Sequence, residues 1–201
     1  MIGCFNRSVI LTYLGIVLSL FGMYNLLIAV DYESVSRVDI AIICLILAGI
    51  CDLFDGVVAR KCKRNEIQKQ FGIQIDSLAD IVSFLIFPSV LLYFIWQQRN
   101  ALYFLIIAFY ILCGVNRLAW FNIQTEKFEK VYQGLPVTYA ALIIPCLYVF
   151  LSSTLLKMLL PAVYCILGML FILNIKIPKP RGIFYPFFGA LAVLLIVLIL
   201  N

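Results

Sequence analysis

Long apolar runs broken by short polar stretches make up almost the whole chain. The runs extend over Ser8–Val30, Arg37–Val58, Gly72–Trp96, Ala101–Gln124, Pro136–Ser152, Leu155–Asn174 and Gly182–Leu200. Uninterrupted apolar stretches near ~20 residues, without strand-like alternation, predict helices that cross a bilayer. The expected fold is all-α: a polytopic membrane helix bundle of about seven transmembrane spans, because only helices satisfy their own backbone in lipid. Six to eight spans are compatible with the pattern, since only Ser152-Ser153-Thr154 separates the fifth run from the sixth. Pro88, Pro145 and Pro161 fall inside runs and are expected to bend them. Residues 1–201 read as a single transmembrane domain with no soluble module, linker or repeat. The first run lacks a small-residue cleavage site, so it reads as a span and not a signal peptide.

Composition agrees with this pattern. The chain is 65% hydrophobic and 12% charged, far from the balance of a soluble domain. Its net charge of +5 therefore belongs to membrane topology and not to a nucleic-acid surface. Seven scattered cysteines without a CxxC pair read as small buried hydrophobes. With no histidine in the chain, any acid–base step falls to a carboxylate, Lys, Tyr or Cys.

Lys and Arg divide unequally when the polar stretches are assigned to alternating sides. Twelve fall with the N-terminus, the 60–69 stretch, the 117–135 loop and the 176–181 loop, against three on the other side. That bias orients the N-terminus and those loops toward the cytoplasm. Most of these charges are expected to snorkel or to meet anionic membrane lipids.

Four aspartates share the richer side. Asp52 and Asp55 stand three apart, and Asp76 and Asp80 four apart, so each pair occupies one helix face. A carboxylate at the centre of a membrane helix costs roughly 2.5–3.5 kcal/mol, so four together require a compensating partner. All-oxygen ligands with no His or Cys nearby describe a hard-cation site, Mg²⁺ or Mn²⁺. A pair of such cations can clamp a pyrophosphate. Gly56 and Ala59 leave room beside the first acid pair, and Gly72 precedes the second by one turn. Arg60 suits a phosphate. With the third span starting near Gly72, the second acid pair would also gain from the helix dipole.

Asp52, Asp55, Gly56, Ala59, Arg60, Gly72, Asp76 and Asp80 reproduce the pattern D-x-x-D-G-x-x-A-R…G-x-x-x-D-x-x-x-D. This resembles the signature of the CDP-alcohol phosphotransferases. The gap between Arg60 and Gly72 is three residues longer than the family's usual spacing, which implies a longer connection. The Asp76–Phe84 stretch DSLADIVSF, Asn116–Ile123 NRLAWFNI and Gly134-Leu135-Pro136 resemble the phosphatidylserine synthases of that family, most closely the short archaeal and Gram-positive type. Trp120 replaces an Arg, and Leu85 stands where a Gly is usual. The resemblance covers about residues 8–180.

The resemblance implies transfer of a phosphatidyl group from CDP-diacylglycerol, or CDP-archaeol, to L-serine, releasing CMP. It implies metal binding by Asp52, Asp55, Asp76 and Asp80, with Asp80 also the general base on the serine hydroxyl. It further implies that Thr12, Gly56, Ala59, Arg60 and Gly72 contact the CDP moiety, and that the enzyme is a homodimer. Arg117 is the cation proposed for the serine carboxylate, with Asn116, Asn122 or Gln133 near the ammonium group and Lys130 as a secondary candidate. Two alternatives stay open: a relative using glycerol phosphate or inositol phosphate, and a cation transporter with intramembrane acids.

Overall fold

A computed structural model describes residues 6–32, 35–97, 100–124, 131–178 and 184–200. Each of the seven apolar runs contains a helix. The first two are α1 (Ile10–Tyr32) and α2 (Val35–Lys61), which pack along each other for most of their length. The third run holds α3 (Glu66–Asp80), a π-helical stretch (Ile81–Ile86) and α4 (Phe87–Trp96). Then come α5 (Ala101–Gln124), α6 (Ala140–Phe150), α7 (Ser153–Ile172) and α8 (Phe184–Leu200). Among the described residues, five helical stretches are long and apolar enough to cross a membrane, and those ending in α6 and α8 are shorter. The chain is therefore a multi-pass membrane protein with an all-α core.

Two features depart from the sequence reading. First, α3 begins at Glu66, two turns ahead of Gly72. Asn65 caps it: its side chain accepts from the Gln68 N–H while the Gln68 side chain accepts from the Asn65 N–H. This reciprocal box satisfies orphan donors and starts the helix inside the basic stretch. Asp76 and Asp80 consequently lie well into α3, beyond reach of the dipole at its N-terminus.

Second, a small antiparallel pair forms where only loops were expected. Strand β1 (Val131–Gln133) pairs with β2 (Lys176–Pro178), with Tyr132 opposite Ile177. The chain then turns at Gly134, whose φ of 72° suits a residue without Cβ. The Gly134 N–H donates to the Ile175 carbonyl at 2.9 Å, and the Leu135 N–H to the Leu170 carbonyl at 2.9 Å. That latch fixes the entry into α6.

The core runs through α2, the π stretch, α4, α5, α6 and α7, with Leu45, Leu85, Phe87, Leu91, Tyr110, Ile144 and Tyr164 fully buried. Without a hydrophobic drive between helices in lipid, close packing of small residues holds such interfaces. Gly49 lies so near Ala141 that an added Cβ would stand 2.8 Å from the alanine methyl. Leu85, at the position of the unusual substitution, fills the space over Gly114. The bulk of one matches the bareness of the other. Pro145 and Pro161 remain inside α6 and α7, whereas Pro88 sits at the junction of the π stretch with α4.

Candidate active site

The acid pairs face each other across α2 and α3. Asp52, Asp76 and Asp80 each present a carboxylate oxygen within 4.8 Å of the other two. Asp52 reaches hydrogen-bonding contact with Asp80, and Asp55 with Asp76. Asp55 also accepts a hydrogen bond from the Thr12 hydroxyl at 3.1 Å, which ties α1 to the site. Two carboxylates approach this closely only with a proton or a cation between them. The donor set is all oxygen, half-buried to buried, and shared by two rigid helices. It fits a hard divalent cation.

Arg117 enters from α5. It is 7% exposed, its guanidinium carbon stands 5.0 Å from the Phe121 ring centre, and its charge acts on Asp52, Asp76 and Asp80. One arginine offsets only part of the charge of four acids, which leaves room for added cations. Ser77, between the two acids of α3, lies 3.0 Å from Asn122 and donates to its side-chain oxygen. This bond fastens α5 to α3.

A cavity of about 320 Å³ opens beside the acids. Asp52, Asp55, Asp76, Gly56 and Arg60 line its polar end. Its other end runs between α2, α6 and α8, against Ile46, Ile50, Leu142, Phe188 and Leu195. Pro136, Thr138 and Tyr139, just past the Gly134 turn, complete the wall. One space thus joins an anion- or cation-binding mouth to an apolar slot.

Residues 5–175 match the CDP-alcohol phosphatidyltransferase family. The chain belongs to that family. It is 32% identical over 163 residues to an archaetidylserine synthase of Methanothermobacter thermautotrophicus, covering 80% of this chain and 66% of the relative. It is 32% identical over 187 residues to a CDP-diacylglycerol–serine O-phosphatidyltransferase of Methanocaldococcus jannaschii, covering 89% and 88%. A Helicobacter pylori protein of the same name is 32% identical over 166 residues, covering 79% and 67%. The chain therefore spans about two thirds of the length of the first and third relatives and most of the second. Membership sets aside the cation-transporter alternative.

The predicted site residues do not all converge. Thr12, Asp52, Asp55, Asp76, Asp80 and Arg117 come together at the acid cluster, and Gly56 and Arg60 line the adjoining cavity. Ala59 and Gly72 are not among the cavity-lining residues; a Cβ on Gly72 would meet the Arg64 guanidinium at 3.4 Å. Asn116 is exposed and is not among the lining residues either. Asn122 is occupied by Ser77, and Gln133 accepts from the Trp120 indole N–H at 2.9 Å. Lys130 lies outside the described residues.

Sequence reasoning missed the α8 wall and the contribution of Thr138 and Tyr139. For the latter, the Gly134-Leu135-Pro136 turn was the available signal. In α8 the buried positions among the described residues are Ala192 and Leu195, one turn apart, and both line the cavity.

Proposed function

We propose that this protein transfers a phosphatidyl group from CDP-diacylglycerol, or its archaeal ether equivalent, to the hydroxyl of L-serine. The products are phosphatidylserine, or archaetidylserine, and CMP. The observation that carries this reading is a cavity with an acidic mouth and an apolar slot. An amphiphile with a charged diphosphate between a nucleotide and a lipid matches both ends. The names of the relatives supply the serine.

Asp52, Asp55, Asp76 and Asp80 would hold divalent cations, Mg²⁺ or Mn²⁺, which when bound would supply positive charge for the diphosphate at this mouth. Thr12 orients the Asp55 carboxylate. Arg60, laid against bare Gly56, offers its guanidinium to a phosphate oxygen. Arg117 holds the serine carboxylate beside the acids, and Asp80 takes the proton from the serine hydroxyl. The serine oxygen then bonds to the lipid-side phosphorus as the bond to CMP breaks. Apolar walls from α6 and α8 keep the lipid end out of water.

The twelve-to-three distribution of Lys and Arg supports a site open to the cytoplasm. The family resemblance supports a homodimer with one site per protomer, and residues 1–201 acting as one catalytic domain. The test is an acceptor panel. Purified protein with CDP-diacylglycerol and Mn²⁺ should release CMP with L-serine and not with glycerol phosphate or inositol phosphate. Release with either phosphate and none with serine would reassign the acceptor while leaving the donor reading intact.

A further inference from the structure

The helix carrying Asp76 and Asp80 changes its winding immediately after Asp80. Residues Ile81–Ile86 are π-helical, and the Phe87 N–H reaches back five residues to the Val82 carbonyl. Pro88 follows and has no N–H. The Phe84 carbonyl, four residues earlier, therefore lacks the donor that an α-helix would give it. Phe84 is buried, and an unserved carbonyl there would cost about 1–3 kcal/mol.

The missing donor comes from another helix. Tyr110 of α5 is fully buried, and its hydroxyl donates to the Phe84 carbonyl at 2.6 Å. Its ring is fixed by Tyr164 and Phe171, with centroids 4.9 and 5.3 Å away. Tyr164 in turn donates to the Pro88 carbonyl. Other contacts pack the same turn: the Ser19 and Ser83 hydroxyls bond at 2.8 Å, and Leu85 covers Gly114. Neither of these contacts serves the Phe84 carbonyl.

We propose that Tyr110 is a positioning residue for the aspartates of α3: its hydroxyl replaces the proline N–H and so holds the π turn that aims Asp76 and Asp80 at Asp52. This rests on reading those aspartates as cation ligands. A π turn accommodates one extra residue, and rewinding it to α would turn one flank by about 100° against the other. The α4 flank is anchored, with Phe87, Leu91 and Leu92 fully buried. Rotation would fall on α3 and carry Asp80 away from Asp52.

The experiment uses the full chain in lipid nanodiscs. Mn²⁺ affinity is read by electron paramagnetic resonance and CMP release with serine is followed, both below the melting temperature of every variant. Tyr110→Phe should weaken Mn²⁺ binding about tenfold, in the range seen for residues that orient metal ligands, and lower kcat to a similar extent. Tyr110→Phe/Pro88→Ala, which returns an N–H at position 88, should recover Mn²⁺ affinity to within about threefold, less than the tenfold of one outer-shell contact. Tyr103→Phe is the control: its hydroxyl donates to the Ser89 carbonyl at 3.0 Å, beyond the turn, and should leave Mn²⁺ affinity unchanged.

A Tyr110→Phe protein that melts earlier but binds Mn²⁺ normally would overturn the proposal. So would a double variant without recovery, or an equal loss in Tyr103→Phe. If Tyr110→Phe folds only in the Pro88→Ala background, the pairing is supported; failure in both backgrounds overturns it. Unsubstituted protein that takes up no Mn²⁺ would bring down the cation-site reading itself, and this proposal with it.

Discussion

Gly134→Ala tests how the wall of the cavity is held. Gly134 has a φ of 72°, and a Cβ there would run into the Phe171 carbonyl, which is backbone and cannot rotate aside. Left-handed backbone costs a non-glycine residue roughly 1–2 kcal/mol. Relief of the clash must open the latch, losing the bonds from Gly134 to Ile175 and from Leu135 to Leu170, each worth about 0.5–1.5 kcal/mol. Together these place the loss at about 2–5 kcal/mol, or a melting temperature about 4–20 °C lower for a chain of this size. The turn also leads into Pro136, Thr138 and Tyr139, so the KM for CDP-lipid should rise. The aspartates ride on α2 and α3, so Mn²⁺ affinity should hold. Thermal unfolding, CMP release and Mn²⁺ binding measured on one preparation separate these effects. Gly189→Ala is the reference, because nothing lies within 4 Å of the added methyl. Normal stability in Gly134→Ala, or Mn²⁺ affinity lost in step with KM, would refute the reasoning.

Three other substitutions probe individual roles. Asp80→Asn should lower kcat by about 10²–10⁴-fold while sparing much of the CDP-lipid binding, and equal loss of both would remove Asp80 as the base. Arg117→Ala should raise the KM for serine about tenfold or more, and that for CDP-lipid far less; steady-state kinetics in which both rise together would misplace the serine pocket. Thr12→Val removes the hydroxyl that orients Asp55 and should weaken Mn²⁺ binding about tenfold, read by titration; unchanged affinity would confine Thr12 to packing.

The helices and the acid cluster were legible because lipid imposes strong constraints. An apolar run must be helical, and an acid inside one must have a partner. The spacing of Asp52, Asp55, Asp76 and Asp80 was enough to bring them together. What was hidden depends on contacts distant in sequence. The start of α3 was local, however, and Asn65-Glu66-Ile67-Gln68 carried the capping signal inside a stretch read only for its charge. The β1–β2 pair joins residues more than forty apart through backbone groups alone, so no side-chain pattern announces it. The π turn needed Pro88 and Tyr110 to be seen together, and only the fold makes them neighbours. Asn116 and Asn122 looked alike as polar residues near Arg117. Helical rotation exposes the first and turns the second to Ser77.

The central claim is that these aspartates stand together because divalent cations belong between them. Equilibrium Mn²⁺ binding to the protein in nanodiscs, with and without CDP-diacylglycerol, tests it most directly. The account predicts saturable binding that tightens with the lipid and is lost in Asp52→Asn and Asp76→Asn. Binding that survives both substitutions, or is indifferent to the lipid, would contradict it.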